Sequence, residues 1–231
     1  MDGNPYPNRQ ANKTAVPIFG TPTLRGQTPN ALTALRFALA AVFVWMLSAF
    51  ELSAEGDRLA WAAAAVFVVA ALTDALDGWL ARRWTAISVF GRVMDPLADK
   101  LLVLSAFILL AGPGFHADAG AGTFWRVKQA SGITGWMACV ILARELLVTS
   151  LRGVCESRGV DFSASFTGKA KMVVQSAAVP IVLIIMGSER ALGVGASISA
   201  VIGALVTAVT ALSAVPYVTR AAKGLAGSSN S

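Results

Sequence analysis

The stretch Thr73–Lys100, TDALDGWLARRWTAISVFGRVMDPLADK, decides how this chain is read. It sets Asp74, Asp77, Asp95 and Asp99 inside two strongly apolar segments, which hydropathy predicts as membrane-crossing helices near Leu59–Arg83 and Ile87–Leu110. An aspartate deep in a bilayer costs about 2.5–3.5 kcal/mol on insertion scales, so four of them require compensation. At helical rise, Asp74 lies roughly 13 Å below the Arg83 end of its helix. Asp95 and Asp99 lie roughly 12 and 18 Å in from the Ile87 end of theirs. The short connection predicts antiparallel neighbours, with all four carboxylates at similar depth near one membrane face.

Spacing points the same way. Asp74 and Asp77 are i,i+3, and Asp95 and Asp99 are i,i+4, so each pair projects from one helix face. Four hard oxygen donors without His or Cys nearby suit Mg²⁺ or Mn²⁺, and a pair of ions about 3.5–4 Å apart is a common use of such a cluster. Gly78 and Gly91 leave room for a ligand against the helices, and Arg82 is one turn from Gly78. Two bland alternatives stay open on spacing alone. The carboxylates can belong to a proton or cation transporter, and the small residues can serve helix packing.

Outward from this stretch, composition supports a membrane protein. Of 231 residues, 55% are hydrophobic and 14% charged, against about 25% charged in soluble domains. Six spans are predicted: Ala31–Phe50, Leu59–Arg83, Ile87–Leu110, Ser131–Arg158, Phe166–Met186 and Leu192–Arg220. The expected fold is all-α and polytopic, with six transmembrane helices in one domain over residues 29–222. Residues 1–28 are expected to be a disordered or interfacial tail without a secretory signal, and 223–231 a flexible tail. With the N-terminus in the cytoplasm, only Arg58, Arg126, Lys128 and Arg190 of the 19 basic residues fall outside. That asymmetry predicts cytoplasmic termini and explains most of the +6 charge, so no nucleic-acid partner is expected. Cys139 and Cys155 are too far apart along one helix for a disulfide. The single histidine, His116, excludes histidine-based zinc chemistry near the aspartates.

The same stretch resembles the signature of the CDP-alcohol phosphatidyltransferases, D-x2-D-G-x2-A-R-x8-G-x3-D-x3-D, filled here by Asp74, Asp77, Gly78, Ala81, Arg82, Gly91, Asp95 and Asp99. Pro29-Asn30 through Arg36, Asp95-Pro96 through Lys100, Arg144-Glu145, Arg152 and Gly168–Lys171 are similar to the phosphatidylglycerophosphate-forming branch of that family. The resemblance implies six helices in the inner cell membrane, a homodimer and a cytoplasm-facing site. It implies CDP-diacylglycerol as donor, sn-glycerol 3-phosphate as acceptor and CMP as leaving group. Carried over by position, Asp74, Asp77, Asp95 and Asp99 would hold the metal ions and Asp99 would act as general base. Asn30, Thr33, Gly78, Ala81, Arg82 and Gly91 would contact the CDP-lipid. A phosphorylated acceptor needs a basic pocket, for which Arg144, Arg152 and Lys169 are the candidates; their bland role is cytoplasmic anchoring. Arg36 is expected to meet a phosphate or an aspartate, and Glu145 to pair with a neighbouring arginine. Inositol phosphate, phosphatidylglycerol or serine would use the same aspartate core.

Overall fold

The computed structural model describes residues 24–52, 54–84, 89–117, 128–158, 166–188 and 194–227. Seven α-helices follow one another among them: α1 (Leu24–Ser48), α2 (Ala54–Trp84), α3 (Val89–Leu110), α4 (Gly135–Ser157), α5 (Phe166–Ser188), α6 (Val194–Leu212) and α7 (Val215–Gly227). Between α3 and α4 lie a single 3-10 turn, Pro113–Phe115, and a two-residue antiparallel pair, β1 (His116–Ala117) with β2 (Lys128–Gln129). The chain is thus the expected all-α polytopic bundle.

Three stretches are long and apolar enough to cross a membrane: Gly56–Thr73, Thr167–Ser188 and Val194–Ala222. Within α1 and α3 the described apolar runs are Ala34–Ser48 and Lys100–Leu110. In α4 the run is cut by Arg144, Glu145 and Arg152.

Two boundaries differ from expectation. Helix α1 starts at Leu24 and takes in the end of the predicted tail, because Leu24, Arg25 and Gln27 are good helix formers ahead of Pro29. The predicted sixth span is broken at Ser213–Ala214 into α6 and α7. Pro216 has no N–H to donate to Leu212, and its ring collides with that carbonyl, so it opens a new helix instead of continuing the old one. Helix α7 then runs to Gly227, into the predicted C-terminal tail.

Helix α1 packs along both α2 and α3, α2 along α5, α5 along α6, and α4 against α6 and α7. The buried face of α2 is Ala60, Ala63, Ala64, Phe67 and Ala70, at helical spacing. Its alanines let backbones approach, which is how membrane helices pack when lipid supplies no hydrophobic drive. Phe43 fits against Phe67 with ring centroids 5.4 Å apart. Outward faces carry Trp45, Val69, Leu72, Val173, Val201 and Leu205, an exposed apolar surface suited to acyl chains. Trp61 and Trp136 are exposed near the starts of α2 and α4, as anchors would be.

The turns at one end lock together. Phe50, after α1, stacks on Phe115, after α3, at 4.1 Å and 7°. The last carbonyl of α3, Leu110 O, accepts from Gln129 Nε2 at 2.7 Å and from Ser131 Oγ at 2.6 Å. These bonds satisfy a group that the helix end would otherwise orphan. Both cysteines are free, as their separation required.

Gly132 closes this end against α6. Its φ is +66°, and an added Cβ would fall 2.2 Å from Ala200 N and 2.3 Å from Ser199 C. Gly203 lies on the same seam, where a Cβ would meet Ile133 at 2.8 Å. Gly203 of α6 thus makes its close contact within the chain. Gly132→Ala combines left-handed strain with backbone overlap and should lower stability by roughly 2–4 kcal/mol. Thermal unfolding in detergent reads this, and an unchanged midpoint would contradict the packing.

Candidate active site

The described side chains converge on a cavity of about 440 Å³ between α3, α4, α5 and α7. Its walls carry Lys100, Arg144, Arg152, Lys169 and Lys171, with Glu145 as the sole acidic residue among them. The three residues predicted for an acceptor phosphate, Arg144, Arg152 and Lys169, thus share one cavity although they come from two helices. Arg152 and Lys169 are exposed, whereas Arg144, Glu145 and Lys171 are buried.

The buried group is an ion cluster. Glu145 Oε1 accepts from Arg144 Nη1 at 3.0 Å and from Lys171 Nζ. Arg144 Nε donates to Ser213 Oγ at 3.0 Å, and Ser213 Oγ donates to Thr210 O at 2.7 Å. The guanidinium carbon lies 5.6 Å from the centroid of the Tyr217 ring. Arg144 Nη2 is buried and has no hydrogen-bond partner among the described residues. A buried charged donor left unsatisfied costs roughly 1–3 kcal/mol, and an anionic oxygen in the cavity would relieve that cost.

Glu145 has the expected role, pairing with an arginine, and adds Lys171. Among the described residues, five basic side chains and one carboxylate line the cavity. Lys100 reaches from α3 to α4, donating to Thr149 Oγ1 at 2.7 Å. Gln175 Nε2 donates to Thr210 Oγ1 at 2.9 Å, tying α5 to α6 below the cluster.

The aspartate stretch and part of the cavity wall lie on one helix. Helix α3 is continuous from Val89 to Leu110, so Asp95, Asp99 and Val103 recur every fourth residue on one face. Val103 lines the cavity. Helix α2 is continuous through Asp74 and Asp77, which also share a face. The side chains of Asn30, Thr33, Asp74, Asp77, Gly78, Ala81, Arg82, Gly91, Asp95 and Asp99 lie outside the described residues. Arg36, on α1, is 1% exposed and fully inside the bundle.

Reading the sequence missed Lys100, Gln175, Ser213 and Tyr217 as cavity or support residues. Two left a trace. A glutamine inside an apolar helix is itself a pointer to a polar interior, and Pro216 announces the break that carries Tyr217.

Residues 26–214 match the family model described as CDP-alcohol phosphatidyltransferase. The chain is 36% identical over 163 residues to the CDP-diacylglycerol–glycerol-3-phosphate 3-phosphatidyltransferase of Bacillus subtilis, covering 68% of this chain and 76% of the relative. It is 35% identical over 198 residues to a probable phosphatidylglycerophosphate synthase of Mycobacterium tuberculosis, covering 86% and 83%. It is also 32% identical over 176 residues to a CMP-forming cardiolipin synthase of Streptomyces coelicolor, covering 76% and 71%.

Glu145→Gln removes the buried carboxylate that Arg144 and Lys171 share and should destabilise the chain by about 3–5 kcal/mol. Adding Lys171→Met should return part of that loss, because the two sites share one interaction. Thermal unfolding of both variants measures the coupling, and strict additivity would show that the pair does not interact.

Proposed function

The chain belongs to the CDP-alcohol phosphatidyltransferase family, and from that premise we propose that it transfers a phosphatidyl group from CDP-diacylglycerol to sn-glycerol 3-phosphate. The products are phosphatidylglycerophosphate and CMP. The transporter alternative left open by spacing gives way to membership of an enzyme family. The acceptor rests on one observation above all. Five basic side chains face one cavity, and the carboxylate among them is already shared by two of them. A phosphomonoester dianion, glycerol 3-phosphate or inositol phosphate, matches those basic groups better than serine or the singly charged diester of phosphatidylglycerol. The names of the Bacillus and Mycobacterium relatives agree with glycerol 3-phosphate.

The donor set fits a divalent ion. Helical backbone at Asp74, Asp77, Asp95 and Asp99 presents two carboxylates per helix face, and hard oxygens are what Mg²⁺ and Mn²⁺ prefer. Two such ions held by these four residues would neutralise charge building on the departing CMP.

Arg144, with Arg152 and Lys169 at the mouth, holds the acceptor phosphate and so fixes where its free hydroxyl lies. Asp99, one turn from the cavity wall at Val103, takes the hydroxyl proton. The hydroxyl oxygen bonds to the lipid-bearing phosphorus. The bond from that phosphorus to the bridging anhydride oxygen breaks, and CMP leaves with that oxygen. The reading places no Ser, Cys or His as a covalent nucleophile, so transfer is direct. The basic-residue asymmetry supports a cytoplasmic side for the cavity and both termini.

The decisive experiment uses protein purified in detergent with CDP-diacylglycerol and Mg²⁺ or Mn²⁺. CMP release is followed with glycerol 3-phosphate, inositol phosphate or phosphatidylglycerol supplied in turn. Glycerol 3-phosphate should be preferred, and chelation should stop the reaction until the ion is restored. Asp99→Asn should keep its unfolding midpoint and lose at least about 100-fold in kcat. Full activity in that variant removes the general base, and preference for phosphatidylglycerol would move the chain to the cardiolipin-forming reaction.

A further inference from the structure

We propose that α7 is a working part of the acceptor site: Tyr217 and Ser213 clamp the Arg144 guanidinium so that Nη2 is the donor edge left for the acceptor phosphate. The inference rests on the acceptor reading above and goes beyond it. It assigns a positioning role to a residue outside the stretch that matches the family, since that match ends at residue 214.

Three sides of Arg144 are accounted for. Nε is held by Ser213 Oγ at 3.0 Å, and Nη1 by Glu145 Oε1 at 3.0 Å. The Tyr217 ring lies 5.6 Å from the guanidinium carbon. Nη2 is buried without a partner among the described residues, in a side chain that is 7% exposed and lines the cavity. A flexible arginine would swing out toward water, so holding it inside needs these restraints.

The restraints depend on the helix break. Ser213 and Ala214 form the turn between α6 and α7, and Tyr217 N donates to Ala214 O at 3.0 Å in the first turn of α7. Tyr217 and Ala221 then pack with Val148 and Cys155 of α4 as a small separate apolar cluster. The break therefore sets hydroxyl and ring on the same guanidinium, and the cluster fastens the ring there. Tyr217 also lines the cavity.

The test uses the full chain in detergent, with steady-state kinetics in glycerol 3-phosphate and inhibition by inorganic phosphate. Tyr217→Leu and Ser213→Ala should each raise KM for glycerol 3-phosphate by roughly 3- to 30-fold, the range of a partly desolvated cation–π contact or a charged hydrogen bond. The inhibition constant of inorganic phosphate should rise in parallel, while KM for CDP-diacylglycerol stays put and kcat changes by no more than about twofold. Tyr217→Phe keeps the ring and should bring KM back to within about threefold of the unaltered chain. A merely structural role would lower kcat and disturb the KM of donor and acceptor alike, so an unchanged acceptor KM in Tyr217→Leu, or a loss spread equally over donor and acceptor, overturns the clamp. Should Tyr217→Leu fail to fold, Ser213→Ala, which deletes one oxygen, decides alone. If the unaltered chain uses a different acceptor, the acceptor reading falls. The phosphate inhibition constants then still test the clamp: equal values in the unaltered chain and in Ser213→Ala overturn it.

Discussion

Glu145 is the constraint on which this structure turns. It is a carboxylate inside an apolar bundle, sharing one oxygen between Arg144 of its own helix and Lys171 of the next. Removing a charge from water is expensive, and a buried ion cluster stands only if its members are matched in geometry and hydrogen-bonded elsewhere. Here Arg144 and Lys171 share one oxygen, and the Arg144 Nη2 edge has no partner among the described residues. That edge belongs to a side chain lining the cavity between α3, α4, α5 and α7. The seam of Gly132 and Gly203 at the other end of α4 holds that helix hard against α6, which fixes where Arg144 can reach.

A second balance of opposite sign lies on the same helix face. Asp95 and Asp99 precede Val103 by two turns and one turn, and Val103 is in the cavity wall. Carboxylates and the basic cavity wall are thus close along α3, where Lys100 is bound to Thr149. On the proposed function, a divalent ion and an acceptor phosphate would be brought to neighbouring sites of opposite sign, the relation that a transfer reaction needs. Arg144, Glu145 and Arg152 interrupt the apolar run of α4, whereas α2, α5 and α6 carry long apolar stretches.

Much of this was legible in the sequence alone. The aspartate spacing, the six passes, the family and the cluster of Arg144, Arg152 and Lys169 all follow from patterns that are local or nearly so. Helical period fixes which carboxylates share a face, and hydropathy fixes which segments enter a membrane. A proline three residues past an apolar run marks where a helix restarts, although the prediction ran through it.

What only the tertiary structure decided is which distant residues meet. The bond from Arg144 to Ser213 and the approach of Tyr217 span about seventy positions of chain, and nothing in the local pattern of α6 or α7 points to α4. The physical reason is that side-chain identity states what a group can bind, whereas packing states what it does bind. Lys171 is, in the sequence, one of two basic residues at a helix start, and only the packing of α5 buries it against Glu145. Periodicity and charge count determined the kind of site this protein carries; the angle at Ser213–Ala214 and the close seams between helices determined its shape.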